Sequence, residues 1–142
     1  MAAETLVDIL QAITAVLNAE PLRLVPSRIA LQAARQSNLV VDRSYWLDDG
    51  GLVSNRPMGA HRAARIDAVD LAVLFRGAFA QEAQRQGILD LLMQIERALI
   101  ADGEAQGYHV TLAGHGVKRF GKDHLLGTLR VTVDYDFSEA TP

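Results

Sequence analysis

The chain has 142 residues, 49% of them apolar and 22% charged, with a formal net charge of −3 and no cysteine. That length predicts a single domain over residues 1–142 with room for one sizeable core, and the composition is that of a globular rather than a disordered chain. The acidic balance weighs against a dedicated nucleic-acid binder, and the lack of cysteine excludes disulfides and thiolate metal sites.

The opening MAAETLVD has no basic region and carries two acids in its first eight residues, so it does not read as a secretory signal. No apolar run approaches the roughly 18–20 residues that a membrane span needs. Residues 3–18 read as a helix, because Leu6, Ile9, Leu10, Ile13, Val16 and Leu17 form one stripe at helical spacing. Asn18 and Pro21 are its stop signals. The stretch 21–38 is ambiguous: Pro26 breaks any continuous helix, and Ser27 either caps a short helix over 28–35 or belongs to an ordered connection.

NLVVDRSYWL (38–47) reads as a strand with mixed polarity on both faces. DDGGLVSNRPMGAH (48–61) is dense in Gly, Asp, Asn and Pro, and is expected to be a long loop or hairpin tip. A second long strand spans 61–77, with Val69, Leu71, Val73 and Phe75 on one face. A second helix is expected over 88–101, beginning as early as Gln81, with Ile88, Leu91, Leu92, Ile95, Ala98 and Leu99 as its stripe and Asp102–Gly103 as its stop. Tyr108, Val110 and Leu112 start a third strand. After a Gly-rich loop, LLGTLRVTVDYDF (125–137) alternates apolar odd positions with polar even ones, broken by Gly127 and Leu126. Residues 138–142 are expected to form a short flexible end. The predicted fold is α+β, in the order α-β-β-α-β-β, an antiparallel sheet of about four strands with two amphipathic helices on one face.

No catalytic constellation emerges, and the chain is expected not to be an enzyme. His61, His109, His115 and His124 form no tight ligand pair, although His115 and His124 flank the Gly-rich loop and could converge; solvated loop histidines are the simpler reading. GHGVKRFG (114–121) has neither the spacing nor the context of a nucleotide loop, so its glycines are expected to serve a turn or bulge. His115, Lys118, Arg119, Lys122 and His124 concentrate positive charge, either as a solvated tip or as a contact for a partner or phosphate. Asp134 and Asp136 lie on the polar side of the last strand, where charge blocks stray sheet pairing. No catalytic residue, cofactor or metal is expected.

The layout as a whole resembles the tail terminator (tail completion) proteins of long-tailed bacteriophages and related gene-transfer particles. The resemblance covers nearly the full chain: an amphipathic N-terminal helix, the VPSR connection (Val25–Arg28), the strand NLVVDRSYWLDDG, a long strand ending in FRG, the helix ILDLLMQIERALI and the closing VTVDYDF. It implies a structural virion protein at the head-proximal end of the tail, made in the host cytoplasm. Such a protein forms a homo-oligomeric ring, typically a hexamer, that caps the tail tube, ends its polymerisation and offers a surface to the head-side connector. DNA passes through the lumen without being read, and no membrane is involved. Subunits of a ring meet through two different patches, and Arg43, Trp46, Arg56, Lys118, Arg119 and Lys122 are expected at or near those contacts. Asp134 and Asp136 would face solvent or line the lumen. Alternatives are another neck, head-completion or minor tail protein, a non-viral α+β binding module, or a small enzyme built on His or carboxylate groups.

Overall fold

The computed structural model describes residues 5–27, 29–30, 42–59, 61–76, 82–120 and 124–138. Helix α1, Leu6–Asn18, starts at Thr5, whose Oγ1 accepts the Asp8 N–H at 3.2 Å. This satisfies one of the donors that a helix start leaves open. Ile9, Ile13 and Leu17, the middle of the expected stripe, are fully buried.

Five strands follow: β1 (Val25–Pro26), β2 (Ser44–Pro57), β3 (Arg62–Arg76), β4 (His109–Phe120) and β5 (His124–Ser138). Helix α2, Glu82–Gln106, lies between β3 and β4. The sheet order is β1-β2-β3-β5-β4. All neighbours are antiparallel except β1 and β2, which run parallel through Val25↔Ser44 and Pro26↔Tyr45. The α+β class holds, with two helices among the described residues, but the sheet is mixed and five-stranded rather than antiparallel and four-stranded. The extra strand precedes β2, so the element order differs from the expected one as well. Two residues carry no alternation to detect; their pairing is imposed by the chain around them.

Two segments expected to be loops are strand. Residues 48–57 continue β2 against β3, and the Gly50–Gly51 pair is absorbed by a bulge, with a second bulge between Leu52 and Ser54. Gly51 takes φ +101°, and its N–H is received by Asp49 Oδ1 at 2.8 Å. Likewise Ala113–Phe120 continues β4 against β5, with a bulge between Leu112 and Gly114. The expected strand at 38–47 begins at Ser44; residues 31–41, and so most of the possible helix 28–35, lie outside the described residues.

Helix α2 runs through both Gly87 and the expected stop at Asp102–Gly103. Its end is Gly107, at φ +90°, where the N–H groups of Gly107 and Tyr108 reach the Gly103 carbonyl at 2.8 and 3.0 Å. Gly103 serves packing instead: a Cβ there would collide with the Tyr108 carbonyl.

The main core joins α1, α2 and one face of the sheet: Ile9, Ile13 and Leu17 meet Leu92, Ile95 and Leu99 over Val69, Leu71, Val73, Leu129, Val131 and Val133. Each such side chain contributes on the order of 1.5–3 kcal/mol when fully buried. The opposite face carries a smaller apolar cluster of Leu74, Phe120 and Leu126, with Trp46 and Ala72 against it.

Candidate functional site

The face opposite the two described helices holds a groove of ≈ 430 Å³. Strand register explains it. Trp46 pairs with Ala72, Ala72 with Thr128, and Thr128 with Gly116, so one row descends from an indole to small residues and a bare backbone. The next row is Asp48, Asp70, Arg130 and Gly114. Arg130 Nε lies 3.5 Å from Asp70 Oδ1, and its guanidinium donates to the Gly50 carbonyl at 3.1 Å. Both ions are about half exposed, which makes this pair a positioning contact more than a source of stability. Gly50 allows it: a Cβ there would come within 2.8 Å of Asp70 Oδ2. His115 completes the rim.

Past Asp49, β2 continues as an exposed outer arm against β3, which itself stays paired with β5 as far as Arg62 and Ser138. Leu52, Val53 and Met58 are 58%, 58% and 55% exposed. Toward its turn Arg65 lies over the Phe137 ring, 3.7 Å from the centroid, and donates to Asn55 Oδ1 at 3.0 Å. Behind that stack Tyr135 donates to Asp67 Oδ2 at 2.7 Å, and both residues are buried.

The residues expected at contacts fall in different places. Arg43 faces inward: it has φ +65°, its N–H goes to the Leu74 carbonyl at 2.8 Å, and its guanidinium goes to the Leu22 carbonyl at 2.7 Å. It ties the chain after α1 to the start of β2. Trp46 is a wall of the groove, half-buried, with its indole N–H on the Ile29 carbonyl at 2.7 Å. Arg56 is exposed on the arm, and Lys118 and Arg119 are exposed on β4, which borders the sheet. These two were expected on a loop and lie instead on an edge strand. Lys122 lies outside the described residues. Asp134 and Asp136 are exposed on the same sheet face as the groove, beyond Arg130 on β5, in register with Ile66 and Ala64.

The histidines do not converge. His115 pairs with Leu129 and His124 with Phe120, a separation of about 16–17 Å along the strands. His61 and His109 are exposed, and His124 is buried with Nδ1 lacking a hydrogen-bond partner among the described residues. No group of three or more His, Asp or Glu side chains among the described residues could hold a metal ion. The three tyrosines all resist ionisation. Burial raises each one. Asp102 beside Tyr108 and Asp67 beside Tyr135 raise those two further by hydrogen bond and charge, Arg65 opposing at Tyr135.

The groove, the bare arm and the Asp67–Tyr135 pair were not anticipated. The signal for the arm was present in Leu52–Val53, an apolar step within a stretch that otherwise reads as loop. No helix among the described residues is long and apolar enough to cross a membrane. Compared with protein-family models and with curated proteins, the chain matches none.

Proposed function

We infer that this chain is a ring-forming structural subunit of a phage tail, a tail terminator that caps the tube, ends its polymerisation and offers the joining surface to the head-side connector. The reading rests on the resemblance in element layout and on the surfaces a lone subunit leaves uncovered. The arm carries it: Leu52 and Val53 on the outer, bulged part of β2 and Met58 in its turn are more than half exposed and belong to neither apolar cluster. Exposed apolar side chains spaced along a bordering strand and its turn suit contact with a neighbour. The groove on the opposite sheet face offers a second, different surface, and two unlike surfaces on one subunit are what head-to-tail assembly needs.

The test is mass in solution, alone and beside tail-tube protein, by sedimentation and electron microscopy. Rings on tube ends are the expected result. A chain that stays monomeric at high concentration and leaves tube growth unchecked overturns the reading.

The groove itself favours a second reading, a small-molecule binding module with Trp46 as the apolar wall and Asp48, Asp70 and Arg130 as polar contacts. Saturable binding of a small zwitterionic ligand by the monomer, lost in Trp46→Ala, would favour it over the ring.

A further inference from the structure

The sheet has two borders of opposite charge. At one border, β2 beyond Tyr45 has no strand beside it among the described residues; its stretch next to Tyr45 carries Asp48 and Asp49, both exposed, and its single cation, Arg56, lies seven residues further along. At the other, β4 has no strand on its outer side among the described residues and contains no acidic residue; Lys118 and Arg119 are exposed on it. Arg85 of α2 adds a third cation there, donating to the Val117 carbonyl at 2.8 Å.

We propose that these borders pair with one another between copies, β4 of one subunit adding to β2 of the next as an antiparallel strand. This rests on the ring reading and supplies its contact. Three features of the sheet support it.

Direction comes first. From β2 through β3 and β5 to β4 every neighbour is antiparallel, so β2 and β4 run oppositely. A copy placed beside the first in the same orientation therefore continues the alternation. Backbone parity comes second. The Tyr45 carbonyl turns outward to the Ser27 N–H, so Leu47 and Asp49, two and four residues on, present their backbone groups to the same border. On β4 the Val117 carbonyl turns outward to Arg85, so Arg119 does the same. Arg119 with Leu47 and Val117 with Asp49 are then the hydrogen-bonded pairs, and Lys118 stands directly opposite Asp48 on the same sheet face. Arg119 and Asp49 are diagonal neighbours, within reach of long side chains. Arg85 is exposed and free to exchange the Val117 carbonyl for the Asp49 carboxylate.

Register comes third. Continued flat, the row through Asp48, Asp70, Arg130 and Gly114 would set Gly114 beside the next copy's Asp48. Opposing Lys118 to Asp48 requires a slip of about four residues, and a sheet closes into a ring only with stagger of this kind. The charges also select the partner. Two β2 borders bring acids together and two β4 borders bring cations together, so like borders repel. Only the unlike pair remains, and unlike pairing is the heterologous contact that builds rings.

The test uses two full-length variants, Asp48→Lys/Asp49→Lys and Lys118→Asp/Arg119→Asp, checked for folding by circular dichroism and weighed by sedimentation. Each alone sets like charges together, and association weakens by about tenfold or more against the wild type. An equimolar mixture alternates the two and restores it. Hydrogen exchange of the Leu47, Asp49 and Arg119 amides slows on assembly. If either folded variant forms rings as the wild type does, or the mixture fails to recover, border pairing is overturned while the ring reading stands. A wild type that remains monomeric by itself also overturns border pairing. The ring reading falls only if tail-tube protein fails to assemble it too.

Discussion

The Tyr135 hydroxyl donates to Asp67 Oδ2 at 2.7 Å in the sheet interior, joining residues 68 positions apart. Asp67 is 5% exposed and Tyr135 is 3% exposed, so neither has water to fall back on. Removing the donor leaves a buried carboxylate short of a partner. Tyr135→Phe is expected to cost about 1–3 kcal/mol in chemical denaturation, more than the loss of a surface hydroxyl would. In a cycle with Asp67→Ala the two changes are expected to couple by at least about 0.5 kcal/mol. Additive effects would show that the pair does not act as a unit.

All three tyrosines share a direction of shift, and the consequence for alkaline stability has a definite sign. Each is held above the ordinary tyrosine value in the folded state. The unfolded chain therefore ionises first, releasing protons that the native state keeps. Stability is unaffected below about pH 10, the unperturbed tyrosine value, and falls as pH climbs from there toward the folded values. Tyrosinate absorbance should stay low past that point and then rise together with loss of secondary structure. Tyrosines titrating at the ordinary value while circular dichroism remains native would contradict the buried placement of Tyr45, Tyr108 and Tyr135.

Gly127 is the single gap in the apolar side of the last strand, and the structure explains the gap. A Cβ there would stand 3.0 Å from Ile88 Cγ2 and 3.4 Å from both Leu92 Cδ2 and Phe75 Cε2. The missing side chain is the space that α2 occupies. Gly127→Ala is expected to cost about 1–2 kcal/mol through overpacking, although glycine in a strand is itself unfavourable. Adding Ile88→Ala should return part of that loss, so the double variant is less destabilised than the sum of the singles. A neutral or stabilising Gly127→Ala would mean that α2 can shift away freely.

The same contrast shows what the sequence could convey. The stripes of α1 and α2 and the alternation of β5 were legible because each is a long local pattern, and all are buried together. Asp48–Asp49–Gly50–Gly51 read as a loop because each residue disfavours strand on its own. Pairing with Asp70, Val69 and Ala68, with a bulge to take up the extra residue, overrides that preference. Gly103 read as a stop for a like reason: a glycine at the end of a stripe looks the same whether it caps the helix or admits Tyr108. At the candidate surfaces, the basic character of 114–124 was legible, but its place on a border strand depends on which strand lies between β3 and β4. Asp67 and Tyr135 are both on apolar-parity positions, and only the β3–β5 register brings them together.

The exposed arm separates assembly from folding. Leu52, Val53 and Met58 are more than half exposed, and none belongs to either apolar cluster. Replacing them with Leu52→Thr, Val53→Thr and Met58→Gln keeps side chains that tolerate extended backbone while removing apolar surface. Each change should move the unfolding free energy by no more than about 0.5 kcal/mol, as expected for exposed sites outside the core. If the arm seats against a neighbour, the same triple variant loses ring formation and no longer stops tail-tube growth, because the burial that rewarded association is gone. Electron microscopy of tube length beside thermal unfolding of the isolated chain reads both effects. A variant that unfolds early would show these side chains to be part of the fold. One that is stable and still caps tubes would show the arm to be unused, and would move the contact to the sheet borders at Asp48–Asp49 and Lys118–Arg119.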